Sequence, residues 1–111
     1  MQLTELQFDI LRCLADDYED VEQLYLYANR DPAEEEAGRA SLPPIASQIR
    51  FPLRDVLDEI AEMLREGYIE PKYSNDQEVA RVEKVNFAAL HHYWFGPTDK
   101  GTRAVKAYSR R

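Results

Sequence analysis

Leu53, Val56, Leu57, Ile60, Met63 and Leu64 recur at helical spacing, which predicts one long amphipathic helix with a single apolar face. Pro52 suits its first turn, where the missing N–H would have had no partner. Gly67 suits its end, because glycine takes the left-handed conformation that stops a helix. Tyr68 and Ile69 then open an extended segment. Upstream, PPIASQIR reads as a short helix and a tight turn. The rest of the chain is arranged around this unit, residues 43–69.

Two helices are expected before it. Thr4, with Gln7 three residues on, forms a capping box ahead of the stripe Leu3, Leu6, Ile10, Leu11 and Leu14. Cys13 falls at the margin of that stripe and reads as a small residue at the edge of the core. A second helix starts at Asp20, again with a glutamine three residues on, and buries Val21, Leu24, Tyr25 and Ala28. Asp31-Pro32 closes it. Leu26 and Tyr27 point away from that stripe, leaving apolar area for a partner chain or for the next loop. Residues 31–42 are small, polar and acidic, a surface loop with a helical turn at 33–37. Glu34, Glu35 and Glu36 splay around a helical axis instead of converging, so they form a solvated charge run and not a carboxylate site.

After the long helix, YIEPKYS is a short strand, placed at a sheet edge by Pro71. Asn75, Glu78, Val79, Val82 and Val85 suggest a helical or irregular insertion, although β-branching fits a strand as well. Residues 90–95, LHHYWF, read as the returning strand. His91 and His92 would then face opposite sides with no third ligand nearby, so no metal site is expected. Thr98 caps a last helix with Ala104, Val105 and Tyr108 on its apolar side.

Composition adds limits. A chain of 111 residues is expected to form one domain, residues 1–111, and 44% apolar content suits a soluble globular chain. No apolar run would span a bilayer, no basic segment leads into an apolar one at the start, and the single cysteine has no internal disulfide partner. A reduced, cytoplasmic setting without membrane contact is therefore expected. The net charge of −7 is unevenly placed. Residues 1–42 hold Arg12, Arg30 and Arg39 against eleven acidic side chains, whereas residues 71–111 hold eight basic side chains against Asp76, Glu78, Glu83 and Asp99. The whole chain should repel nucleic acid, but its C-terminal third need not.

The order of elements, with Ala46 and Val56 ten residues apart in a helix–turn–helix, resembles a helix-turn-helix followed by a two-stranded wing. IAEMLREGYIEPK is similar to the end of the recognition helix and first wing strand of winged-helix regulators of the MarR and PadR type, through Met63, Gly67, Tyr68 and Ile69. YWFGPTDKGTRAV resembles the returning wing strand and the turn into the last helix, through Thr98, Lys100 and Gly101. The resemblance covers residues 43–111. It implies a mainly α chain with a small β-hairpin (α+β): a winged helix-turn-helix with the helix-turn-helix at 43–66, the wing at about 68–96 and the C-terminal helix at about 98–109.

Function then divides two ways. As a transcriptional regulator, the module would contact double-stranded DNA through Arg50 and Arg54, with Lys72, Arg81 and Lys84 of the wing reaching phosphate or the minor groove. Against this, the solvent side of the long helix offers Arg54 beside Asp55, Asp58, Glu59 and Glu62, where phosphate favours Arg, Lys, Asn, Gln or Ser. The alternative is a module that binds protein through that acidic face or through Tyr25 and Tyr27. A homodimer is expected from the aromatic side chains of helix two and the last helix, Tyr25, Tyr27 and Tyr108 among them. The sequence holds no G-x-S-x-G, P-loop or H-E-x-x-H and no nucleophile beside a base, so neither catalysis nor a cofactor is expected.

Overall fold

The computed structural model describes residues 3–30, 49–74, 77–78 and 85–109. The expected helical turn at 33–37, the short helix around Ala46, and Arg81 and Lys84 lie outside the described residues. Within them the architecture is mixed α+β. Four α-helices, α1 (Glu5–Leu14), α2 (Val21–Ala28), α3 (Leu53–Arg65) and α4 (Asp99–Ser109), accompany β1 (Glu19–Asp20), β2 (Ile69–Ser74), β3 (Gln77–Glu78) and β4 (Tyr93–Pro97). A 3-10 helix, Phe87–His92, leads into β4. The strands form one antiparallel sheet in the order β1-β4-β2-β3.

Local chemistry accounts for the helix ends. Thr4 Oγ1 accepts from Gln7 N at 3.2 Å and Gln7 Oε1 accepts from Thr4 N at 2.9 Å, the expected reciprocal cap of α1. Asp20 Oδ1 accepts from Gln23 N at 3.0 Å and caps α2. That helix ends at Ala28, short of Asp31-Pro32, because Asn29 leaves helical geometry to bond elsewhere. At the end of α3, Tyr68 N donates to Met63 O at 3.0 Å and Gly67 N donates to Leu64 O at 3.3 Å, with Gly67 at φ 79°. This pair of bonds satisfies two orphan carbonyls, and the flanking Met63 and Tyr68 are both buried. A methyl group at Gly67 meets nothing within 4 Å, so only backbone strain opposes it. Gly67→Ala should therefore cost on the order of 1 kcal/mol in a chemical denaturation series; an unchanged midpoint would contradict this.

The core runs through Ile10, Leu11, Leu14, Leu24, Val56, Ile60, Met63, Leu64, Ile69 and Phe95, all nearly sealed from solvent. The stripes expected on α1 and α3 supply most of it. Leu53 departs from expectation: in the first turn of α3, it is 48% exposed.

The sheet departs in four ways. β1 was not expected; its two residues are extended because Glu19 and Asp20 pair with Phe95 and Trp94 of β4, a contact no local pattern announces. β2 lies between β4 and β3 instead of at an edge; among the described residues β3 pairs with Tyr73 and Ser74, beyond Pro71. Gln77 and Glu78 pair back onto β2 within the stretch expected to be a helical or irregular insertion, whose Asn75, Val79 and Val82 lie outside the described residues. Residues 90–92 belong to the 3-10 helix, and the strand starts only at Tyr93. His91 and His92 consequently touch edge to face, centroids 4.1 Å apart, rather than pointing to opposite sides of a strand.

Candidate functional site

The exposed face of α3 is positioned from both ends. At its start, Asn29 is fully buried and makes four hydrogen bonds. Its Nδ2 donates to Tyr25 O at 3.0 Å and to Phe51 O at 2.9 Å, and its Oδ1 accepts from Arg50 N at 3.0 Å and Phe51 N at 2.8 Å. The end of α2 is thereby tied to the backbone that leads into α3. At the other end, Thr98 Oγ1 accepts from Gly101 N at 3.1 Å, capping α4, and donates to Gly67 O at 2.5 Å. Lys100 Nζ donates to Glu66 O at 2.7 Å, placing a cation at the negative end of the α3 dipole. Thr98, Lys100 and Gly101, singled out in the sequence, thus clamp the turn after α3.

Arg54, Asp55, Asp58 and Glu62 are exposed, as the helical period requires. Glu59 is not on the solvated face as expected: half-buried, it accepts from Gln7 Nε2 at 2.6 Å and joins α3 to α1. Arg50 forms an ion pair with Glu5 of α1, and its guanidinium lies 5.1 Å from the Phe51 ring centroid. Lys72 pairs with Glu70 at 2.6 Å. Two grooves flank α3. One runs between α3 and the 3-10 helix, where Asp58, Glu62 and Arg65 meet Phe87 and His91. The other lies against the start of α1, where Asp55, Asp58 and Glu59 meet Glu5 and Phe51. Arg65 reaches Glu62 at 4.0 Å and stands 4.8 Å over the Phe87 ring.

Tyr25 and Tyr27, the other contact expected for a partner, are half-buried. Tyr25 packs against the core, and the Arg30 guanidinium lies 4.1 Å over the Tyr27 ring. Arg30 also approaches Asp9 at 3.6 Å. Burial nevertheless wins at Asp9, whose carboxyl is held above the usual range, with the Arg30 charge opposing it. Burial likewise pushes the Cys13 thiol up to about 12, leaving it protonated and unreactive at neutral pH.

Sequence reasoning missed Asn29, Glu5, Gln7 as the partner of Glu59, and the aromatic wall formed by Phe87. Each acts across more than a helical turn. A polar residue just past a helix was the only local signal, and it marks an end, not a partner.

Compared with known proteins, the chain matches no family model, no curated protein and no solved structure. Among the described residues no group of three or more His, Cys, Asp or Glu is disposed to hold a metal ion, and no helix is long and apolar enough to cross a membrane.

Proposed function

We propose that the chain is a winged helix-turn-helix module whose α3 face takes a protein segment rich in basic side chains, and not duplex DNA. The order α1, α2, α3, antiparallel β2 and β4, then α4 supports the architecture. The partner reading rests on one observation: the exposed α3 face presents Asp55, Asp58 and Glu62 around Arg54, while among the described residues Arg50 pairs with Glu5 and Arg65 only approaches Glu62, at 4.0 Å. A recognition helix lies between two rows of phosphates, each unit charge acting across a few ångströms. Three carboxylates there oppose entry, whereas the same charges attract lysine and arginine side chains.

The DNA reading keeps Arg54 among the described residues, with Arg81 and Lys84 outside them. Arg50 and Lys72 each stand beside a carboxylate, Glu5 and Glu70, which offsets the positive charge they would present to phosphate, although these exposed pairs are themselves weak. The homodimer reading also loses support, since Tyr108 stacks on Phe8 of its own chain with centroids 4.3 Å apart.

Titration of a labelled duplex at low and moderate salt tests the choice. The wild type is expected not to bind at either, and the triple change Asp55→Asn, Asp58→Asn, Glu62→Gln to gain weak, salt-sensitive binding. Salt-sensitive binding by the wild type that disappears in Arg54→Ala would overturn the reading.

A further inference from the structure

We propose that the outer face of the sheet carries a binding site for a small organic cation with an alkylated ammonium head, walled by the rings of Tyr18, Tyr73 and Trp94 and closed by the carboxylate of Asp17. The site is separate from the α3 face and does not depend on how that face is used. A cleft of about 420 Å³ opens here, lined among the described residues by these four side chains. The three rings are 42%, 42% and 37% exposed, among the largest apolar groups the described chain leaves in solvent. Single exposed aromatic residues need no explanation, but three that wall one cleft do.

Each ring is placed by a specific backbone feature. Trp94 alternates with buried Tyr93 and Phe95 on β4 and therefore faces outward. Simple alternation would turn Tyr73 inward, two residues after buried Pro71. The register shifts between Pro71 and Tyr73, so Pro71 lies opposite Phe95 while Tyr73 lies opposite Trp94 and turns to the outer face. Tyr18 lies against Gly96: a Cβ there would stand 2.9 Å from both Cδ1 and Cε1 of the ring, so the bare backbone is what admits it. The Tyr18 backbone N–H donates to Asp17 Oδ1 at 2.8 Å, fixing the carboxylate beside the ring. Tyr18 and Tyr73 have centroids 6.0 Å apart and planes inclined by 49°, two walls of an open V and not a closed stack.

Charge selects the occupant. Ring faces carry negative potential, and the loop that brings Tyr18 reads Asp16, Asp17, Tyr18, Glu19, Asp20. The Glu19 carboxyl is raised by burial and by Asp17 and Asp20, a sign of the negative field at this edge. Lys72 Nζ, 5.5 Å from the Tyr18 centroid, is balanced by Glu70. Phosphate-bearing ligands such as single-stranded nucleic acid would stack on the same rings but meet this acidic loop. A bare ammonium is strongly hydrated and would find few acceptors in a cleft made of rings; an alkylated one is weakly hydrated and gains apolar contact.

The single tryptophan of the chain makes the site report on itself. Trp94 emission is followed while tetramethylammonium chloride is added, with sodium chloride at equal ionic strength and neopentyl alcohol, a neutral molecule of similar shape, as references. A saturable change with tetramethylammonium alone is expected, in the millimolar range. Tyr73→Leu and Asp17→Asn should each weaken it by about two- to five-fold, as expected for one exposed cation–π or ionic contact. Tyr73→Phe keeps the ring face and should bind as the wild type does, which separates loss of the site from loss of the fold. A trimethyl-lysine peptide that binds more tightly than tetramethylammonium would place the head group on a protein side chain, and equal affinity on a free molecule; both support the site. An identical curve with neopentyl alcohol, no saturation, or full affinity in both Tyr73→Leu and Asp17→Asn would overturn the proposal.

Discussion

Asn29→Ala is expected to destabilise the fold by about 3 kcal/mol or more, although the residue is neither apolar nor part of any helix face. Its side chain makes four hydrogen bonds in a site with no solvent exposure. Each net bond contributes about 1 kcal/mol, and each partner left buried without a substitute adds a penalty of similar size. The partners are backbone groups of Tyr25, Arg50 and Phe51, so the loss is felt where the chain turns into α3. A control separates this from an ordinary helix end. If Asn29 merely stopped α2, glycine would serve as well. Because its backbone sits at φ −108° and not in the left-handed region, Asn29→Gly gains nothing there and should be at least as harmful as alanine. Urea denaturation of the two variants reads the effect; wild-type midpoints for either would show that the four bonds carry no net stability.

Gly101→Ala is the second large effect. A Cβ at this position would stand 2.1 Å from the carbonyl oxygen of Tyr68 and 2.9 Å from Leu11 Cδ2. The first of these is backbone, held by the hydrogen bond from Thr98 N at 3.1 Å, and cannot swing aside. Helix α4 must withdraw, and with it go the bonds from Thr98 to Gly67 and from Lys100 to Glu66. Overpacking alone costs about 1–3 kcal/mol, and the clamp bonds add to it. For a domain of this size that corresponds to a melting-point loss on the order of 10 °C. Lys100→Ala, which leaves the close approach at Gly101 intact and removes one exposed bond and the ammonium 4.5 Å over the Tyr68 ring, should cost about 1 kcal/mol. Equal effects of the two substitutions would place the cost in the lysine bond and not in the close approach.

The two positions differ in how far the sequence announces them. Gly101 stands in a short string with Thr98 and Lys100, whose resemblance to a known turn marked it in advance. Gly67 and the capping residues Thr4, Asp20 and Thr98 were likewise legible, because each acts within about five residues of itself. Asn29 was not, since its partners lie across the gap to Phe51, 22 residues on. β1 could not be read either: two residues form a strand only because β4 arrives beside them. The outward turn of Tyr73 depends on one extra residue in β2, which leaves the composition of the strand unchanged.

The candidate site shows the same division. Helical periodicity placed Arg54, Asp55, Asp58 and Glu62 on the solvent side of α3. It placed Glu59 there too, and missed that Gln7, 52 residues away, takes that carboxylate out of the exposed set. Nothing local to Arg50 foretells its pairing with Glu5 of α1. Long-range pairing thus altered the charge offered by the face more than the fold itself did.

Amide NMR of isotopically labelled protein, titrated with a lysine-rich peptide at low ionic strength and then with salt, tests the acidic-face reading most directly. The amides of Arg54, Asp55, Asp58 and Glu62 should shift together, and added salt should return them. If those amides stay in place with the peptide and move instead on addition of duplex DNA, α3 is a nucleic-acid helix and the protein-binding reading is wrong.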